Sequence, residues 1–244
     1  MLDLARGTRT PLTSGGGNDF APMFTADGDR VIFVSEQPVF DLYARSADGS
    51  GPATAFLVTP YDKTPMGVIA QGRLLLFEHH LLPRYEIWTA PLDSAGAAQP
   101  LLRSGAGDLR YPRIAPDGRW LAYTSNESGR TEVYLSPYPA VTRARWEVSA
   151  DGGDEPRWTR GGRELVYRSG QRMMAVTVDP VSGGLGTPAE LFRGPYVTSA
   201  DGQSYDVTPD GGRFLMLRRP AGTEPRQVIV VTNWFRELQR LVPR

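Results

Sequence analysis

Cysteine is absent from all 244 residues. That removes disulfides, thiolate nucleophiles and cysteine-ligated metals in one step. Histidine is almost absent: His79 and His80 are the two. Adjacent residues on a strand point to opposite faces, so this pair does not readily chelate one ion. It reads as a polar strand end or loop, and no metal or cofactor is expected. Lysine occurs once, at Lys63, so nearly all positive charge is arginine. No apolar run approaches the ~18 residues that a membrane-spanning helix needs, so no membrane insertion is expected. Basic and acidic side chains number 27 each and the net charge is zero. The arginines are scattered, and nucleic acid is not an expected partner.

Catalytic motifs are also missing. An α/β-hydrolase needs a Gly-x-Ser-x-Gly elbow, and the chain has none. Asp48-Gly49-Ser50-Gly51 has the wrong spacing and reads as a turn. Gly15-Gly16-Gly17 lacks the Lys-Ser/Thr of a phosphate loop and reads as a flexible connector. Kinase loops are absent as well. These absences lead to the expectation of no catalytic residues and no enzymatic activity.

What the chain does have is repetition, set in a sequence with 27 glycines and 21 prolines. Pro22-Met23-Phe24-Thr25-Ala26-Asp27-Gly28 returns as Pro112-Arg113-Ile114-Ala115-Pro116-Asp117-Gly118 and as Pro156-Arg157-Trp158-Thr159-Arg160-Gly161-Gly162. Tyr205-Asp206-Val207-Thr208-Pro209-Asp210-Gly211 is a further copy, and Pro65 to Gly72 is a degenerate one. The turn falls at residues 27, 71, 117, 161 and 210, in steps of 44, 46, 44 and 49. A period in the forties with several strands per repeat marks β-propeller blades. The expected fold class is all-β: a propeller with about five four-stranded antiparallel blades, forming either its own ring or part of a larger one.

Each repeat parses into strands separated by turns. In the third they are Tyr111 to Ala115, Trp120 to Thr124, Glu132 to Ser136 and Arg145 to Ser149. The fifth repeat lacks a fourth strand, which would leave an exposed edge. Residues 1–13 look like the second half of a blade, so Thr8 to Thr13 is expected to pair with Val228 to Val231 and close the ring. The alternative is that further blades precede Met1. Residues 14–234 then hold five repeats of a single domain. A short C-terminal helix is expected from Trp234, Leu238 and Leu241, spaced at i, i+4 and i+7.

The repeat resembles the TolB-like, WD40-like propeller repeat of bacteria. The stretch from Tyr123 to Tyr134, with Ser125-Asn126-Glu127-Ser128-Gly129 at its centre, carries that likeness. So do Glu155-Pro156-Arg157-Trp158, Tyr205-Asp206-Val207 and Val230-Val231-Thr232-Asn233-Trp234-Phe235. The second half resembles the C-terminal propeller of large bacterial proteins, many of which carry an N-terminal Ser/Thr kinase domain. The resemblance implies a non-catalytic sensor or interaction module and favours an extracytoplasmic or periplasmic location. A second reading is a propeller enzyme of lyase, glycosidase or lactonase type, with its site at the channel mouth.

Candidate binding residues follow from one column of the repeat. Arg113 and Arg157 follow the repeat proline, as Met23 does, and Asp206 holds the same position in the last copy. First strands line a propeller's central channel. The column therefore forms either inter-blade ties or a polar funnel for a small anionic ligand, a peptide or a protein. Asp27, Asp117 and Asp210 read as turn formers. Phe24, Trp158, Tyr123, Tyr134 and Tyr167 read as blade core. Asp151, Asp154 and Glu155 cluster in one loop, in a spacing that matches no calcium loop.

Overall fold

The computed structural model describes residues 2–3, 7–14, 17–36, 40–69, 72–81, 83–93, 97–199 and 202–218. β1 (Leu2–Asp3) and β2 (Thr8–Arg9) form a short hairpin. Four antiparallel four-stranded sheets follow, each a meander in chain order. The first holds β3 (Asp19–Phe24), β4 (Arg30–Glu36), β5 (Phe40–Ser46) and β6 (Thr54–Leu57). The second holds β7 (Lys63–Ile69), β8 (Leu74–Leu81), β9 (Arg84–Pro91) and β10 (Gln99–Leu102). The third holds β11 (Leu109–Ile114), β12 (Trp120–Ser125), β13 (Glu132–Pro137) and β14 (Trp146–Glu147). The fourth holds β15 (Asp154–Thr159), β16 (Glu164–Ser169), β17 (Arg172–Thr177) and β18 (Ala189–Arg193). β19 (Tyr205–Val207) and β20 (Phe214–Met216) pair as the start of a fifth. The all-β propeller class expected from the repeats is the observed one.

The turns form for local reasons. Gly28, Gly118 and Gly211 have φ of 79°, 73° and 74°, the left-handed region where a side chain is strained. Asp27, Asp117 and Asp210 each accept the backbone N–H two residues on, at 3.1, 3.0 and 2.9 Å. Threonine hydroxyls reinforce two of these turns, Thr25 donating to Asp27 at 2.6 Å and Thr208 to Asp210 at 2.5 Å. Those bonds lower both carboxyls below their ordinary values. The repeat aspartates are turn formers, as the sequence suggests.

The core lies between sheets, and the second strands carry it. Successive residues of a strand face opposite ways. Leu75 and Phe77 of β8 pack on Ile32, Val34 and Leu42 of the first sheet. Leu76, between them, packs with Leu121 and Tyr123 of the third sheet. Ala122 packs with Leu165 and Tyr167 of the fourth. Val166 then faces Tyr205. Sheets covered on both faces need near-continuous apolar runs rather than alternation, and Leu74-Leu75-Leu76-Phe77 is such a run.

The innermost strands share an irregularity. Ala21, Tyr111 and Glu155 have φ of 49°, 52° and 54°. Each immediately precedes the repeat proline, and pairing with the second strand shifts register there. A bulge of this kind re-aims side chains at a sheet edge. It turns one end of each first strand away from its own sheet and toward the neighbouring blade.

The expected places of the histidine pair, Phe24 and the N-terminal strand meet different outcomes. His79 and His80 stand near the end of β8, paired with Glu86 and Tyr85, which is the strand-end placement of the two expected. His79 packs among Tyr61, Phe77 and Trp88. Phe24 is 53% exposed and is not blade core. Its counterpart Trp158 packs against the cluster between the third and fourth sheets and donates Nε1–H to the Arg113 carbonyl at 2.9 Å. The difference is position: Phe24 belongs to the first of the four sheets, on the face turned from the second. Thr8–Arg9 pairs with Leu2–Asp3. Its expected partner, Val228 to Val231, and the expected C-terminal helix lie outside the described residues.

One repeat position therefore predicts two opposite outcomes. Trp158→Ala is expected to cost about 3–5 kcal/mol in urea unfolding. Phe24→Ala is expected to cost about 1 kcal/mol or less. Equal losses would contradict this assignment of core and surface.

Candidate functional site

The bulged first strands bring polar groups of successive blades together. Arg113 on β11 reaches both ways. Its Nη1 donates to the Met66 carbonyl on β7 and to the Pro112 carbonyl at 3.2 Å. Its Nη2 donates to Gln203 Oε1 at 2.8 Å. Gln203 Nε2 in turn donates to the Glu155 carbonyl at 3.0 Å. Arg157 on β15 lies 3.6 Å from the Asp206 carboxylate on β19, with side chains 28% and 65% exposed. Burial first, and the neighbouring Arg157 next, push the Arg113 guanidinium down to about 9. It remains charged at neutral pH.

All three column residues thus converge, in two environments. Arg113 is an inter-blade tie. Arg157 and Asp206 form a looser pair open to solvent. Met23, at the same position in the first blade, packs into the apolar cluster between the first two sheets. Asp151, Asp154 and Glu155 separate: Asp151 is exposed, whereas Asp154 and Glu155 turn into different blade interfaces. Among the described residues no group of three His, Asp or Glu side chains is placed to hold a metal ion.

Sequence reading missed a second set of polar joints. Glu78 of β8 is fully buried, and its Oε1 accepts the Tyr111 N–H at 2.5 Å. Its Oε2 lies 3.6 Å from Arg110 Nε and 3.9 Å from His80 Nε2. Between the fourth and fifth blades, buried Glu155 accepts the Ser204 N–H at 2.6 Å and its hydroxyl at 2.7 Å. Arg168 donates to the same hydroxyl at 3.0 Å. Between the first and second blades, buried Lys63 donates to buried Asp41. Each joint ties one blade to the next.

A sequence signal for these joints existed. Register pairing aligns Val34, Glu78, Thr124 and Arg168 at one position of the second strand. Glu78 interrupts an apolar run there, which is the signature of a buried charge with a partner.

Burial sets the electrostatics. It raises Glu78, Glu155 and Asp154 above their ordinary values. It also drives His80 down to about 4, with Arg110 as the next cause, so this imidazole is neutral at pH 7. A recess of about 140 Å³ lies beside these groups, lined by Asp108, Arg110, Tyr111, Thr124, Asn126 and Asp154 among others.

No family model matches the chain. In sequence it is 30% identical over 149 residues to a tricorn protease homolog of Streptomyces coelicolor, a match covering 57% of this chain and 12% of that protein. In structure it superposes on TolB from Acinetobacter baumannii with a TM-score of 0.62 at 18% identity, over 82% of this chain and 48% of that one. The fold is that of the TolB-like propellers. A puromycin-hydrolysing peptidase of Mycobacterium tuberculosis superposes with a TM-score of 0.60 at 20% identity, over 84% of this chain and 36% of that chain. The chain therefore spans less than half the length of each of these proteins.

These matches correct the expectation that the chain is no enzyme. A protease homolog and a peptidase stand among the proteins that it resembles. Nucleophile elbows, phosphate loops and kinase loops are local motifs, and a fold hosts sites of many other kinds.

The buried glutamate joint carries a pH signature. Native Glu78 holds its proton more tightly than the unfolded chain does, so its contribution to stability is fully present below the ordinary value of 4.5 and is lost as pH rises through the higher native value. Glu78→Gln removes this dependence. The stability of the native chain relative to the variant is expected to fall across mildly acidic pH, read by urea unfolding at a series of pH values. A difference that does not vary with pH is the contrary result.

Proposed function

We propose that this chain is the recognition propeller of a peptide-handling protein, and that it holds an anionic group, a peptide carboxylate, at Arg113, Arg157 and Asp206. One observation carries the reading. Arg157, 28% exposed, lies 3.6 Å from the Asp206 carboxylate, and the buried Arg113 guanidinium on the adjacent first strand is near enough to sense both charges. The excess is positive. A guanidinium fork suits a carboxylate, which it can hold through two parallel hydrogen bonds. Arg113 supplies the fixed part of such a site, because Met66 and Gln203 already hold it. Arg157 supplies the part that can exchange Asp206 for a ligand.

Two similarities favour a peptide over other anions. One is to a tricorn protease homolog, and the other is to a puromycin-hydrolysing peptidase. In this reading the propeller receives or orients a chain that is cut elsewhere in the whole protein.

The test is calorimetric titration with short peptides carrying either a free or an amidated C terminus. Free-carboxylate peptides are expected to bind better. Arg157→Ala should weaken them about tenfold to a hundredfold, the worth of a charged hydrogen bond of about 1.5–3 kcal/mol, with an unchanged melting temperature. Arg113→Ala should lower the melting temperature as well, because it cuts ties to two neighbouring blades. Equal binding of amidated and free peptides would overturn the reading.

A further inference from the structure

The recess of about 140 Å³ opens where β11 begins and β12 ends, against the start of β15. Arg113 and Arg157 do not line it. Its charges are unevenly matched. Arg110 stands 3.6 Å from buried Glu78, and its guanidinium lies over the rings of Tyr85 and Tyr111, at 4.6 and 4.8 Å. Glu78 of the second blade is the leading charge on that cation, and Asp154 acts on it more weakly. Two carboxylates remain. Asp108 accepts the Tyr85 N–H at 3.2 Å and Asn126 Nδ2 at 3.1 Å. Asp154 accepts the N–H of its neighbour Glu155 at 2.9 Å. Burial is the chief cause that raises Asp154, outweighing the hydrogen bonds from Glu155 and Thr124 and the charges of Arg110 and Arg168.

A second observation concerns Thr124. Its side chain is 3% exposed and lines the recess. Its Oγ1 makes no hydrogen bond of standard geometry, only a looser one to Asp154 that lowers that carboxyl. A buried hydroxyl left in this state is uncommon. The recess therefore combines a desolvated carboxylate, an available hydroxyl acceptor and a second carboxylate nearby.

We propose that this recess binds an alkylammonium group, with Asp154 as its counter-ion and Thr124 Oγ1 as a neutral acceptor. The three N–H donors of an ammonium match those acceptors. A divalent metal fits less well, because no group of three His, Asp or Glu side chains surrounds the recess among the described residues. The space is small, so the ammonium enters on a slender chain. A lysine side chain and the amino terminus of a peptide share that chemistry. This inference stands apart from the arginine column and does not rest on the carboxylate reading.

Calorimetric titration of the full chain with three probes tests it. N-α-acetyl-lysine amide carries a side-chain ammonium, glycinamide an α-ammonium, and N-α-acetyl-norleucine amide none. At least one ammonium probe is expected to bind saturably and the norleucine probe not to bind. Whichever ammonium binds more tightly identifies the source, side chain or terminus. Asp154→Asn should weaken that probe by about tenfold or more, the worth of a charged hydrogen bond. Thr124→Val should weaken it by less, and it carries the test if Asp154→Asn lowers the melting temperature. Arg157→Ala should leave amine binding unchanged while it weakens peptide carboxylates. Saturation by neither amine, equal binding of norleucine, undiminished binding in both variants, or calcium taking the amine's place would each overturn the proposal.

Discussion

Each inner sheet of this protein is buried on both faces, and the rest of the structure depends on that. The second strand of one blade presents alternate residues to the blade before and the blade after. Leu75 and Phe77 look one way and Leu76 the other. No such sheet is stable by itself, because it would expose an apolar face as large as the one that it buries. The blades must therefore stack, and stacking twisted sheets around an axis gathers the first strands at the centre. Turns, bulges and polar joints are arranged around that requirement.

Stacking creates a difficulty that the polar joints resolve. Bulges at Ala21, Tyr111 and Glu155 interrupt the hydrogen-bonded ladder inside a packed structure. A backbone N–H freed there must find a partner. Glu78 satisfies Tyr111 from the preceding blade, and Glu155 satisfies Ser204 in the following one. Burying these carboxylates costs solvation, which raises their affinity for protons, and nearby arginines offset part of that cost. The price of the bulge is thus a set of charged groups close to the channel. A propeller of this kind has polar chemistry at its centre because its inner strands are irregular.

Both candidate sites grow from this irregularity. Arg113 and Arg157 lie just beyond the bulge, and Asp154 lies just before it. The two regions differ in charge: the arginine column carries a positive excess, whereas the recess carries two carboxylates beyond the Arg110–Glu78 pair. Opposite charges a few residues apart along the same strands suit a ligand with separated charges, such as a peptide. Missing motifs are a weak guide to activity in such a fold, because catalytic motifs are local whereas binding in a propeller is assembled from several blades.

Local interactions determined what the sequence alone could say. The Asp-Gly turns, the period in the forties and the apolar second strands repeat visibly, because each depends on residues within a few positions of one another. They determined the blade, the all-β class and the roles of Asp27, Asp117 and Asp210. The arginine column was legible for the same reason, as a repeated position next to a repeated proline. Tertiary structure decided the rest. Whether Arg113 ties blades or faces solvent depends on Met66 and Gln203, 47 and 90 residues away. Phe24 and Trp158 share a repeat position, yet Phe24 is exposed whereas Trp158 packs between the third and fourth sheets. Glu78, Thr124 and Asp154 carry no motif between them. They meet because sheets whose two faces are both apolar must stack, and stacking sets side by side residues that the chain keeps far apart.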